Sequence, residues 1–189
     1  MGLIPSQKVF ENLYYVGQMK MSAWAIETPA GIILIDALNN ADAAQNIIVP
    51  GLKEQGLDPK DIKYVVITHA HGDHYGGAQW LKDTYGARPV ASPADWDLMI
   101  AGGSPRRLRI SDPAPKRRAG DITVGDGQTL SLGGTDIHFA LTPGHTPGTL
   151  SLWFMSLTMA SRMSRAYMAA SARRAPTRSS SSSSSRSIP

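Results

Sequence analysis

Apolar positions in the first seventy residues follow two different periods. Val9 to Val16 predicts an opening strand, and Ser22 to Thr28, Pro29-Ala30-Gly31 and Ile32 to Ile35 together predict a hairpin, since turn residues punctuate β-branched and aromatic runs. The period then changes. Asn39 or Asn40 can cap a helix carrying Ala43, Ala44, Ile47, Ile48 and Leu52 on one stripe, with Gly56 as its stop. Pro50 should kink that helix or end its first part, because it lacks an N–H and crowds the preceding turn. Asp58-Pro59 turns the chain into Ile62 to Thr68, which is apolar almost throughout; a strand without alternation is covered on both faces, as in a layered α/β sheet.

Further on, Ala78, Leu81 and Tyr85 place a helix over 75–85 with Gly86 beyond it, and Arg88 to Ala91 reads as a short strand. Ser92-Pro93-Ala94-Asp95 has the cap-then-proline order of a helix start leading into Trp96 to Ile100. Periodicity is lost from Gly102 to Asp121, a proline-bearing stretch with six basic residues, Arg106, Arg107, Arg109, Lys116, Arg117 and Arg118, that reads as a long solvated loop, the alternative being part of a rim that meets an anionic substrate. Ile122 to Val124, Thr129 to Leu132 and Thr135 to Leu141, separated by Gly125-Asp126-Gly127 and Gly133-Gly134, predict an antiparallel meander. In its last strand Ile137, Phe139 and Leu141 share a face, so His138 points away from the apolar side and reads as a surface histidine. Thr149 to Phe154 begins one more strand.

The candidate chemistry lies where Tyr64-Val65-Val66-Ile67 ends. In Thr68-His69-Ala70-His71-Gly72-Asp73-His74-Tyr75-Gly76-Gly77, three histidines and an aspartate fall within six residues. Neutral imidazoles and a carboxylate suit Zn²⁺, and extended backbone turns His69 and His71 to one side as a chelating pair while Asp73 and His74 lie beyond a turn. One stretch can thus serve two adjacent metals. The alternative, a polar loop whose histidines cap backbone groups, suits a lone histidine better than this block. His145, held between Gly144 and Pro147 at another strand end, repeats the rigid presentation and is the natural third partner of His69 and His71.

His69-Ala70-His71-Gly72-Asp73-His74 resembles the HxHxDH signature of the metallo-β-lactamase superfamily. Thr142-Pro143-Gly144-His145-Thr146-Pro147-Gly148 is similar to that family's second metal motif, and Ile32-Ile33-Leu34-Ile35-Asp36 to its early strand ending in aspartate. A histidine-based second site and the Asn12-Leu13-Tyr14-Tyr15-Val16-Gly17 opening look most like the B3 subclass of zinc β-lactamases. The resemblance covers residues 8–154 and implies an α/β fold, the family's αβ/βα sandwich, with the N-terminal half and the start of the second half represented here. It implies one zinc on His69, His71 and His145, a second on Asp73 and His74, and Asp73 as the residue orienting zinc-activated water for opening of a β-lactam amide. Asp36 becomes a support for the metal loop, not a ligand. The implied substrate is a small molecule, a β-lactam, and the implied compartment is the periplasm. Lactone, thioester or phosphodiester hydrolysis, and a catalytically dead metal-binding fragment, are the alternatives.

Composition divides the chain. Beyond Phe154, residues 155–189 hold six arginines, twelve serines and no acid, so thirteen basic and fifteen acidic residues remain for residues 1–154, and the net charge of +4 belongs to the tail. A domain over 1–154 followed by a disordered Arg/Ser-rich tail is expected, with Met155, Met159, Met163 and Tyr167 spaced for at most a short helix. The switch inside a strand suggests a shifted reading frame or an artificial, truncated ending, and no His, Asp, Glu or Cys follows His145, which leaves the second zinc site incomplete. So little apolar material after Phe154 predicts an exposed apolar patch on the sheet. A basic tail alone argues for no nucleic-acid face on the body; the absence of cysteine excludes thiol chemistry; no run is long enough for a membrane span, and no export signal is visible.

Overall fold

A computed structural model of the chain describes residues 4–102, 112–117, 119–157 and 163–169. The opening apolar run is two strands, not one: β1 (Gln7–Phe10) and β2 (Leu13–Tyr15) pair antiparallel around a turn at Glu11-Asn12. The hairpin is as expected, β3 (Trp24–Thr28) against β4 (Gly31–Ile35). The pattern then becomes parallel, with β5 (Ile62–Val66) beside β4 and β6 (Arg88–Ala91) beside β5. Helical crossovers supply the length that parallel pairing needs.

The first crossover is α1 (Ala41–Ala43), a π-turn (Ala44–Ile48) and α2 (Val49–Glu54). Asn40 caps it by accepting from the Ala43 N–H at 2.8 Å. The first part ends just ahead of Pro50, as expected: the π-turn closes at Ile48, where Val49 N–H reaches back to Ala44 O, and the proline stands in the first turn of α2. The second crossover is α3 (Gly72–Tyr75) and α4 (Ala78–Tyr85), and α5 (Pro93–Ile100) follows β6 with Ser92 as its cap.

The predicted meander divides between two sheets. β7 (Ile122–Thr123) joins β6 in parallel and completes a seven-stranded sheet in chain order β1 to β7. β8 (Thr129–Leu132), β9 (Thr135–Leu141), β10 (Leu150–Leu157) and β11 (Met163–Ala169) form an antiparallel four-stranded sheet in the order β11-β10-β9-β8. Two of the methionines spaced for a helix thus lie in strands, Met155 in β10 and Met163 at the start of β11, paired with Leu157, and Met159 lies outside the described residues. β10 runs through the boundary at residue 154 that composition suggested, and the serine run lies outside the described residues.

β4 shows how the layers are built. Ile32 and Leu34 face the helices, together with Ile48, Leu52, Leu81 and Trp96, whereas Ile33 and Ile35 face the second sheet, meeting Ile137, Phe139, Leu152 and Phe154. β5 repeats the arrangement with Val65 on one side and Val66 on the other. The expected bare patch is therefore not found among the described residues, because β8 to β10 supply the cover from residues that precede Met155. Large exposed apolar side chains there are single ones on separate elements, Val9, Met19, Ile100, Leu141 and Met155.

Segment 112–123 ties down over the helices. Asp112 accepts from Ala41 N–H at 2.7 Å, Lys116 N–H donates to Gln79 at 2.7 Å, and Lys82 holds Asp121 at 2.7 Å. Arg117 lies 5.6 Å over the Trp96 ring. Arg106, Arg107, Arg109 and Arg118 lie outside the described residues.

Gly76 and Gly77 let α3 press against the turn after β4. A Cβ at Gly76 would stand 1.6 Å from Asn39 O. Gly76→Ala is expected to destabilise the fold by about 3 kcal/mol or more, since the obstacle is backbone that cannot step aside. Urea unfolding checks this; an unchanged midpoint would show that the turn yields.

Candidate metal centre

Strand ends position the histidines. β5 stops at Val66, and the chain, expected to run on extended, instead bends over Thr68-His69-Ala70, with His71 N–H turned back to His69 O at 3.0 Å, before His71 (φ −100°, ψ 144°) leads into the first turn of α3. Asp73 and His74 fall inside α3, directly after the pair. His145 comes from the 142–149 connection between β9 and β10, which β10 brings alongside through Leu150 N–H to Thr68 O at 2.9 Å. Residues 74 apart in sequence then meet: His71 Nδ1 lies 2.9 Å from His145 Nε2.

One nitrogen each from His69, His71 and His145 lie within 4.8 Å of one another, and among the described residues this is the group of three that converges in this way. His69 is buried, and His71 and His145 are half-exposed, so the cluster has a closed back and an open front. Asp73 and His74 are beside it rather than in it: the His69 and His74 rings are 3.9 Å apart, and His74 Nε2 is 3.8 Å from Asp73 Oδ2.

Asp36 is the anchor beneath. Its carboxylate accepts Thr68 N–H at 2.8 Å, the Thr68 hydroxyl at 2.8 Å and His74 Nδ1–H at 2.7 Å. Because the Thr68 hydroxyl donates to Asp36, it accepts from His69 Nδ1 at 3.2 Å, and that tautomer leaves the His69 lone pair on Nε2. His69 Nε2 is buried and has no hydrogen-bond partner. Native interiors seldom leave such an atom unsatisfied, and a metal is one partner that suits an imidazole lone pair. The residues therefore fit the ion that the motif implies.

Electrostatics agree. Burial, then the neighbouring His74, His145 and His71, push His69 down to about 2, so it is neutral at ordinary pH and able to donate. Burial and His145 lower His71 as well, against an opposing pull from Asp73. At His74 burial also lowers the pKa, but the Asp36 carboxylate outweighs it and the net shift is upward.

Asp36 carries φ 62° and Leu38 φ 59°, backbone that costs a non-glycine residue about 1–3 kcal/mol. The three hydrogen bonds to the Asp36 side chain, with Asp36 N–H to Val66 O at 2.8 Å and Ala37 N–H to His74 O at 2.7 Å, hold the turn there. His138 stays apart from the cluster, stacked on Trp153 with ring centres 5.4 Å apart. Asp95 was missed by the sequence reading: it is buried and bonds to both histidine-bearing loops. Its only signal in the sequence is an acid three residues after a serine cap, which describes any well-capped helix.

The sequence profile of the Metallo-beta-lactamase superfamily matches residues 17–160. An uncharacterised protein of Mycobacterium leprae is 31% identical over 66% of this chain and 64% of its own length. A hydroxyacylglutathione hydrolase of Acidiphilium cryptum is 28% identical over 70% of this chain and 44% of its own length. Among solved structures, a β-lactamase from Chitinophaga pinensis superposes with a TM-score of 0.79 at 30% identity, covering 89% of this chain and 63% of that one. This chain thus spans less than two thirds of the length of the relatives it resembles. No helix among the described residues is long and apolar enough to cross a membrane. With a profile match over most of its residues and B3 metallo-β-lactamases among its structural neighbours, the chain belongs to the metallo-β-lactamase superfamily.

Proposed function

We propose that the chain is a zinc-dependent hydrolase of the B3 β-lactamase kind, with His69, His71 and His145 holding one zinc and Asp73 and His74 contributing to a second. One observation carries the reading: three imidazole nitrogens from two loops converge while the innermost, His69 Nε2, is buried without a partner. Bound zinc would supply a Lewis acid and a water of lowered pKa. The protein's own part is to hold His69 in one tautomer through Thr68 and Asp36, and to present His71 and His145 on the open side. Asp73, with about a third of its side chain exposed, orients the attacking water and accepts its proton at the carboxylate. A β-lactam substrate and a periplasmic setting belong to the same proposal.

A thioester substrate is the second reading, favoured by the hydroxyacylglutathione hydrolases among the relatives. Among the described residues Asp73 and His74 are the groups beside the three-histidine cluster, two donors against its three, and losing even an outer-shell partner of a metal typically costs about 10–100-fold in affinity or activity. One tightly held zinc per chain and slow turnover are therefore expected. Elemental analysis of the purified chain, followed by nitrocefin and acyl-glutathione hydrolysis with and without chelator, tests this. Protein that keeps no zinc, or hydrolyses both substrates equally well after chelation, would reject the proposal. Turnover of the thioester alone would select the second reading.

A further inference from the structure

We infer that Asp95 is a positioning residue that locks the His69/His71 loop to the His145 loop, so that the three nitrogens are assembled before any metal arrives. The inference rests on the metal-centre reading above and concerns a residue outside its ligand set. Asp95 stands in the first turn of α5 and is 1% exposed. Its Oδ2 accepts the N–H of Ala70, the residue between His69 and His71, at 3.0 Å, and the hydroxyl of Thr146, which follows His145, at 2.6 Å. Its Oδ1 accepts Gly148 N–H at 2.9 Å. One carboxylate thus bonds to both loops, and all three partners are donors, which suits an acceptor-only group.

The surroundings are shaped for this contact. A Cβ at Gly148 would lie 2.0 Å from Ser92 Oγ and 2.6 Å from Asp95 N, so only glycine lets the His145 loop come this close to α5. Thr146 is held in turn by Thr149, whose Oγ1 accepts Thr146 N–H at 2.9 Å. A second tie is Leu150 N–H to Thr68 O, made at the root of each loop, where β10 begins and just before His69. Asp95 acts where the ligands themselves emerge. Burying a carboxylate is costly unless its bonds are satisfied, so a group placed here for packing alone would be better apolar.

The test uses the full chain. Zinc affinity of metal-free wild type, Asp95→Asn, Thr146→Ala and Thr146→Ser is measured by competition with a chromophoric chelator. The visible spectrum of each Co²⁺ form and the thermal midpoint of each metal-free form are recorded alongside. Asn must turn an NH₂ toward either Ala70 N–H or Gly148 N–H, so Asp95→Asn should weaken zinc binding about 10–100-fold and alter the cobalt bands. Thr146→Ala should move both readouts the same way, and Thr146→Ser, which keeps the donor, should restore them. If Asp95→Asn does not fold, the Thr146 pair decides. Variants with wild-type zinc affinity and cobalt spectra, whatever their midpoints, overturn this inference alone. Wild type that binds no zinc overturns the metal-centre reading first.

Discussion

Substituting His71 with alanine is expected to abolish tight zinc retention while leaving the fold standing. His71 is half-exposed at the mouth of the cluster, 2.9 Å from His145, and the residue begins a helix rather than filling a core. Its loss therefore costs little packing, within the small range of surface substitutions. It does remove one of three donors. A missing outer-shell partner alone costs about 10–100-fold, so a missing ligand should exceed ~100-fold in zinc affinity. His138→Ala is the matched control, because His138 stacks on Trp153 away from the cluster and its removal should leave affinity unchanged. Chelator competition on both proteins decides the matter. Wild-type affinity in His71→Ala would mean that the three histidines do not share a metal.

Phe139→Ala should have the largest effect on stability. Phe139 is fully buried between the sheets, opposite Leu152 of β10 and among Ile33, Ile35 and Phe154. Truncating a buried phenylalanine costs about 3–5 kcal/mol, the lost transfer energy plus the cavity left behind. Against a total of about 5–15 kcal/mol for an ordinary domain, this leaves the variant marginal or unfolded. The urea midpoint should fall sharply with an unchanged slope. Because β9 leads directly to the loop that carries His145, saturating zinc should recover part of the loss, about 2.7 kcal/mol at a hundred times the dissociation constant. A midpoint within error of wild type would show that the second sheet does not hold the first.

Local chemistry was legible because covalent spacing enforces it. His69 and His71 are two residues apart, so the chain keeps them neighbours even though it bends there instead of running extended; Asn40 and Ser92 cap helices through neighbours three residues away. The unbroken apolar run Val65-Val66-Ile67 announced cover on both faces, and Val65 and Val66 do face different cores. Asp36 was recognised as support for the metal loop, although its partners Thr68 and His74 had to be found in space.

Other features depended on what lies far along the chain. Ile122-Thr123 has the same local pattern as the strands after it, yet it pairs with β6 in the other sheet, because the edge available to it is set by the earlier crossovers. The methionine spacing fits a helix equally well, but β10 offers an open ladder, and Met163 to Ala169 completes it. Asp95 shows the limit most clearly. In the sequence it is an acid in the first turn of a capped helix; the sandwich brings Ala70, Thr146 and Gly148 to its two oxygens from 25, 51 and 53 residues away. The sequence by itself determined which side chains of chelating type stand together along the chain, through short covalent spacing. Tertiary structure alone decided which loops meet, because hydrogen bonds between distant segments follow from how the layers pack, and no local pattern records that.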